Sequence, residues 1–203
     1  MSKVTKSEIY RKAIHVSSLI IPFTFRYLLH SNVEVAVLYF LLPLSIGLLV
    51  FEILRLEHRT FKRFFWIFFG IVLRKHERSD FTGATYLLVS SMICISLFPK
   101  DIAFISLSFL AIGDTLAAIV GISLGKRKLP KSKKSIEGSL ACFIGTFVFA
   151  MFFLNPQKYA IPLIALAGAI AATIAESSRI AIDDNVKIPI FSGLVMIVVN
   201  IFV

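Results

Sequence analysis

The chain has 203 residues, 57% hydrophobic and 17% charged, with a mean hydropathy of +0.85. That is too apolar for an ordinary water-soluble domain, and apolar runs near bilayer-crossing length recur along it. The formal net charge of +10 sits in the gaps between those runs rather than along a groove-binding face, which argues for membrane topology and against a nucleic-acid partner.

The length suits one helical bundle, 1–203, rather than two soluble domains. Seven spans are predicted, at roughly 8–29, 33–54, 83–98, 102–123, 137–154, 160–179 and 187–203, giving an all-α polytopic membrane bundle. Lys/Arg residues collect at the amino terminus (Lys3, Lys6, Arg11, Lys12) and in the second connection (Arg55, Arg59, Lys62, Arg63, Arg74, Lys75, Arg78). They recur in the fourth (Lys126, Arg127, Lys128, Lys131, Lys133, Lys134) and the sixth (Arg179, Lys187). The alternate connections carry Lys100 and Lys158, with Arg26 near the far end of span one. This asymmetry predicts a cytoplasmic amino terminus and an outer carboxyl terminus, in the cell membrane. Cys94 and Cys142 lie within apolar runs without metal-ligand spacing and read as buried thiols. No cleavable leader is expected, because charges precede and interrupt the first apolar run and no small-residue cleavage site follows it.

Segment 61–73 is aromatic and apolar, with Phe64, Phe65, Trp66, Phe68 and Phe69. At about 20 Å of helix it is too short to cross about 30 Å of hydrocarbon. Basic residues at both ends predict an interfacial or re-entrant helix, either a plain anchor or a lip past which a lipid slides sideways.

The polar residues inside the spans carry the functional signal. Glu8, Arg11, Lys12 and His15 recur at helical spacing on one face of span one. Glu8 pairing with Lys12, and snorkelling, account for the basic residues; His15 lies too deep to snorkel and should face the bundle interior. Asp114 lies about 15 Å from the end of span four, where a carboxylate costs at least about 2.5 kcal/mol on insertion scales. No span shows a basic residue at matching depth, so Asp114 reads as a functional carboxylate among small neighbours, Gly113, Ala117, Ala118 and Gly121.

The loop after Gly121 is no Walker motif: three residues, not four, separate Gly121 from Gly125, and no Ser/Thr follows Lys126. Lys133, Lys134 and Ser135 precede a helix start, whose free N–H groups and positive dipole end favour phosphate. Glu137 in the first turn either compensates that dipole or joins Asp114 in metal or base chemistry. Glu176 and Asp183-Asp184-Asn185 add acids on the same side; Asp183 or Asp184 could also cap span seven. Mg²⁺ takes one or two carboxylates plus phosphate oxygens, so Asp114, Glu137 and Asp184 could jointly serve a nucleotide-bound Mg²⁺. Asp80, with Thr82 and Gly83, opens span three, where Asp80 is a candidate cap.

Five blocks then resemble one family. They are Glu8-x-x-Arg11-Lys12-x-x-His15; Gly83-Ala84-Thr85-Tyr86; Gly113-Asp114-x-x-Ala117-Ala118-x-x-Gly121 with Gly125-Lys126; Lys134-Ser135-x-Glu137-Gly138-Ser139; and Asp184-Asn185-x-x-Ile188-Pro189. In this order they resemble the CTP-dependent lipid-alcohol kinases: dolichol kinase, phytol kinase and CTP-dependent diacylglycerol kinase. The central block is also similar to phosphatidate cytidylyltransferases. That second family has a later His-Gly-Gly and an Asp-Arg-x-x-Asp element, whereas this chain has Glu176-Ser-Ser-Arg179 and no His after His76. The resemblance implies transfer of the CTP γ-phosphoryl group to a lipid hydroxyl at the cytoplasmic face, assisted by Mg²⁺. It implies that Lys134, with Lys126 or Lys133, neutralises the phosphates, and that Ser135 and Gly138 contact the nucleotide. Asp114 and Glu137 would hold Mg²⁺ or orient the alcohol as a base, and Asp184 and Asn185 would complete the site. His15, Arg11, Lys12 and Glu8 would approach from span one, with Asp80 and Glu176 nearby. The competing non-enzyme reading, a small lipid transporter, would place polar groups through the membrane thickness, yet the outer halves of the spans are nearly bare of charge.

Overall fold

The structure, a computed structural model, describes residues 6–203 apart from 72, 74, 75, 131 and 133. In hydrocarbon only a helix satisfies its backbone groups within one segment, and the apolar runs fold accordingly. The order is α1 (Lys6–Ser17), α2 (Ile20–Phe23), α3 (Leu42–Glu57), α4 (Arg59–Phe69), α5 (Gly83–Leu97), α6 (Lys100–Ser123), α7 (Ile136–Phe153), α8 (Ile161–Ser177) and α9 (Asp184–Phe202). No β-strand occurs among the described residues. The segments Val35–Glu57, Lys100–Ser123, Ile136–Phe153 and Asp184–Ile201 are long and apolar enough to cross a membrane. Gly83–Leu97 and Ile161–Ser177 are apolar but shorter. Six of the seven predicted spans therefore appear as helical segments, with ends shifted by no more than about three residues.

The first predicted span, 8–29, differs: it is not one continuous helix. α1 stops at Ser17, α2 is a single turn, and a wide π-helical turn follows at Thr24–Leu28. Pro22 is the local cause, since it has no N–H to give the Ser18 carbonyl and its ring crowds that carbonyl. The hydroxyls of Ser17 and Ser18 instead turn back to the carbonyls of Ile14 and His15. Pro43 has the same effect upstream of α3, where Val35–Leu41 is wound as a π-helix.

Helix α6 forms the axis of the bundle. Most of its length is buried, with Ile102, Phe104, Ile105, Phe109 and Leu110 wholly enclosed. Small residues let its neighbours close in, the packing device of membrane helices. A Cβ built on Gly138 of α7 would stand 2.6 Å from the Ala117 carbonyl oxygen and 3.2 Å from the Gly121 Cα of α6. On the far side, Gly168 of α8 lies against Met196 of α9 and Phe109 of α6. Cys94 and Cys142 are buried free thiols, as expected. The outer surface carries exposed Leu97, Phe152, Ile201 and Phe202, a distribution suited to lipid rather than water.

Helix α4 has 11 residues, about 16 Å, and is too short to cross a bilayer. Phe65 turns inward, its ring 5.6 Å from that of Phe51 of α3 and 4.9 Å from that of Phe69, which remains half-exposed. Phe64 and Ile67 turn outward.

The contact at Gly138 yields a stability prediction. Gly138→Ala forces α6 and α7 apart against backbone atoms and should cost about 1–3 kcal/mol. Gly47→Ala, where a Cβ meets nothing within 4 Å, should instead be neutral or stabilise by about 0.5–1 kcal/mol through helix propensity. Thermal unfolding of both variants in detergent checks the contrast.

Candidate functional site: two cavities that meet at one buried ion pair

Asp114 is buried on α6 and is not without a cation. The Lys12 ammonium of α1 reaches it at 2.5 Å and also donates to the Asp114 backbone carbonyl at 3.3 Å. This corrects the expectation that no basic residue matches Asp114 in depth. Lys12 is itself buried, and its long stem carries the charge inward instead of out to the headgroups. His15 follows on the same face, its Nδ1 3.7 Å from the Asp114 carboxylate, facing the interior as its depth required. The Glu8–Lys12 pairing expected from spacing is not formed: Glu8 pairs with Arg11, leaving Lys12 to Asp114.

A cavity of about 390 Å³ opens beside this pair and is walled by charge. Asp114, Lys12 and Glu8 form one side; Lys134, Glu176 and Asp184 form the other. The loop between α6 and α7 folds back on itself, the Leu129 N–H donating to the Lys134 carbonyl and the Ile136 N–H to the Arg127 carbonyl, each at 2.9 Å. That hairpin presents Lys134 and Ser135 to the cavity at the start of α7. The Ser135 hydroxyl caps the helix by accepting from the Gly138 N–H at 3.1 Å. Lys134 bridges α8 and α9, 3.1 Å from Glu176 and 3.3 Å from Asp184. Burial alone would push its ammonium down, but the charges of Asp184 and Glu176 outweigh that and hold it above its usual range. Lys187 takes the other Asp184 oxygen at 2.8 Å. Glu176 Oε2 and the Ser139 hydroxyl are buried at this cavity without a hydrogen-bond partner among the described residues. Such groups are rare in a settled interior and mark where a ligand would bond.

A second cavity, about 410 Å³, lies on the other side of α1. Its body is apolar, with Leu48, Phe51, Phe65, Phe69 and Leu87, and its polar end holds His15, Glu52, Glu77 and Thr82. Glu8 and Lys12 line both cavities, so the two meet at α1.

Most predicted site residues converge here and some do not. Lys134, Ser135, Gly138 and Asp184 wall the charged cavity, as does Glu176; Arg11 lines the apolar one. Glu137 does not line the cavity with Asp114: it is half-buried outside that lining, and its carboxylate accepts from the Arg127 N–H at 3.2 Å, fastening the base of the hairpin. Asn185 is buried on the apolar side, its amide bonded to Asp183, which caps α9, and its carbonyl to Ser90. Lys126 is exposed outside the cavity lining, where Lys128 takes the corresponding place. Lys133 lies outside the described residues. Asp80 does not cap α5; its carbonyl accepts from Arg55 at 2.7 Å, and the Gly83 N–H is taken by Glu77 at 2.8 Å.

The sequence reading missed Glu52, an acid in an otherwise apolar helix and so the same signal as Asp114. It also counted Arg55 and Lys128 only as topological charges.

Among the described residues no three His, Cys, Asp or Glu form a group able to hold a metal by themselves. The donor chemistry still fits Mg²⁺ arriving with phosphates, which needs only one or two carboxylates: Asp114 and Asp184 line one cavity with Lys134.

No protein-family profile and no solved structure matches the chain. It is 29% identical over 217 residues to CTP-dependent diacylglycerol kinase 1 of Saccharomyces cerevisiae, covering 95% of this chain and 73% of that one. To an uncharacterised protein of Methanocaldococcus jannaschii it is 30% identical over 192 residues, covering 93% and 92% of the two chains. To a probable chloroplastic phytol kinase of Triticum aestivum it is 32% identical over 140 residues, covering 61% of this chain and 46% of the plant protein. Over most of its length the chain is thus similar to a CTP-dependent diacylglycerol kinase, and over part of it to a probable phytol kinase, on an all-helical membrane fold.

Proposed function

We propose that this protein is an integral-membrane kinase that moves the γ-phosphoryl group of CTP to the hydroxyl of a lipid alcohol, an isoprenoid alcohol or diacylglycerol. The observation that carries the reading is the pair of cavities sharing Glu8 and Lys12, one walled by charge and one by apolar side chains. A nucleotide suits the first and a lipid tail the second, and the shared wall is where a hydroxyl would meet a phosphate. The Lys/Arg-rich amino terminus and the connections before α5, α7 and α9 favour a cytoplasmic site on the cell membrane.

Phosphoryl transfer depends mainly on alignment and charge neutralisation. Lys134 and Lys128 neutralise the phosphates, and the Ser139 hydroxyl offers one hydrogen bond. Asp114 and Asp184 would hold Mg²⁺, which supplies Lewis-acid charge stabilisation when bound. Lys12 fixes Asp114 and carries positive charge to the shared wall. His15, on the apolar side of that wall, accepts the hydroxyl proton as the alcohol oxygen bonds to the γ-phosphorus and CDP leaves. Helix α4 lies in the interface and forms the lip of the lipid cavity through Phe65 and Phe69.

Purified protein, Mg²⁺ and a panel of lipid alcohols should pass label from γ-labelled CTP into a lipid and none from α-labelled CTP. Transfer of α-label alone would mean cytidylyl transfer and would overturn the kinase reading. Transfer of neither, without nucleotide binding, would turn the search to a transporter.

Asp114→Asn keeps the shape and removes the charge. It should lower γ-transfer by about 10²-fold or more, the scale of losing a central electrostatic group, in the same labelled-CTP assay.

A further inference from the structure

The polar end of the apolar cavity contains an ion pair that the proposed chemistry does not use. Glu52 and Arg55 on α3 are 1% and 0% exposed. Arg55 donates from Nε to Glu52 Oε2 at 2.9 Å, from Nη1 to the Glu77 carbonyl at 2.8 Å and from Nη2 to the Asp80 carbonyl at 2.7 Å. The remaining Glu52 oxygen, Oε1, accepts from the Thr82 hydroxyl at 2.6 Å. Glu77 in turn takes the Gly83 N–H. Charges buried this completely are costly, and an apolar pair of similar volume is commonly no less stable. What charge does here, and apolar packing would not, is fix the segment 77–83 and the direction of one hydroxyl.

Thr82 stands at the N-cap of α5, yet its side chain makes no cap hydrogen bond. A threonine there ordinarily turns its oxygen to the helix N–H groups. Here it lines the apolar cavity and is turned to Glu52. Glu52 gives one oxygen to Arg55 and the other to Thr82, and the Thr82 hydroxyl is the donor in the Thr82–Glu52 bond. A hydroxyl whose single proton is so committed offers lone pairs alone to anything else that reaches it.

We infer that Thr82 is a substrate-contacting residue that accepts a hydrogen bond from the hydroxyl of the lipid alcohol in the complex without nucleotide, before that hydroxyl turns its proton to His15 for transfer, with Glu52 and Arg55 as the positioning pair that keeps the Thr82 lone pairs free. The inference rests on the apolar cavity being the lipid site. It makes the site a reader of donors: it takes an alcohol and rejects the same chain ending in an ether. The selection is made by Thr82 at the start of α5, apart from the charged residues that handle phosphate.

The test measures binding, so it stands apart from turnover. Purified protein in detergent is titrated with phytol, with phytyl methyl ether, or with Mg²⁺–CTP, following thermal unfolding. The wild type should bind phytol at least about tenfold more tightly than its ether, the discrimination of one good hydrogen bond from a buried acceptor. Thr82→Val, near-isosteric and without the hydroxyl, should bind alcohol and ether alike while its response to CTP stays within about twofold of wild type. Thr82→Ser should restore the preference. Equal binding of alcohol and ether by the wild type overturns the inference, as does a Thr82→Val protein that still prefers the alcohol. A Thr82→Val protein that loses its CTP response as well marks Thr82 as a structural residue and also overturns it. Alcohol preference set by Thr82 in a protein that transfers no phosphate from CTP would sink the kinase reading and support this one.

Discussion

The buried pair of Lys12 and Asp114 ties a helix to the bundle that sequence hydropathy alone would leave loosely held. α1 has a polar face, ends after 12 residues, and is followed by a broken segment that Pro22 prevents from winding regularly. Its attachment to α6 is electrostatic: an ammonium and a carboxylate at 2.5 Å, both withdrawn from water. Neither charge would be tolerable alone, since leaving one member of such a pair buried costs about 3–5 kcal/mol. The same bond puts His15 beside Asp114 and Glu8 on the wall between the cavities. Attachment of α1 and formation of the shared wall are therefore one event.

Around that pair the charged groups are arranged by end and by side. Lys134, Glu176, Asp184 and Lys187 lace the hairpin, α8 and α9 into one chain of ion pairs. Glu52, Arg55, Glu77 and Thr82 do the same for α3, the segment before α5, and α5 itself. Away from these, at the start of α6, Asp101 meets Arg26 at 3.6 Å and Lys158 at 3.7 Å, with Arg26 also over the Phe104 ring. That third group pins a connection to a helix start and lines neither cavity. Among the described residues these charged groups thus form separate clusters rather than a path through the bundle, which weighs against the transporter reading.

Much of this was legible in the sequence because the signals were local. Helix positions follow from apolar run length, and the ends of α5, α7 and α8 follow from Gly, Pro and polar punctuation. Asp114 and His15 were legible because each is a polar group with no local means of reaching water. The failures have one physical origin: pairing depends on side-chain reach across helices. Lys12 read as a snorkelling residue because its position on α1 says nothing of α6 lying within reach of its stem. Glu137 read as a site carboxylate because its neighbours in sequence are site residues, but the hairpin's backbone N–H groups claim it first. Asn185 was drawn to the wrong side for the same reason, since the Asp183 cap fixes its amide. Glu52 was missed although it carried the same signal as Asp114, because three residues later Arg55 was absorbed into a count of loop charges.

The two unexpected ion pairs clarify how one small bundle can keep two incompatible solvents apart. On the proposed reading a nucleotide cavity needs lysines and water and a lipid tail needs neither, so the opening between them should be no wider than the reacting hydroxyl and phosphate require. Here the two cavities share a single helix face, α1, whose charges are paired: Arg11 with Glu8 on the same helix and Lys12 with Asp114 of α6. A wall of paired charges can border both compartments, since pairing lowers the cost of holding each charge beside an apolar cavity. Thr82 extends that logic on the lipid side, with its proton held by Glu52 and its oxygen left to the cavity. Polarity is thereby admitted to the apolar compartment one oriented lone pair at a time, which is how a site for a long hydrocarbon can still recognise the single hydroxyl at its end.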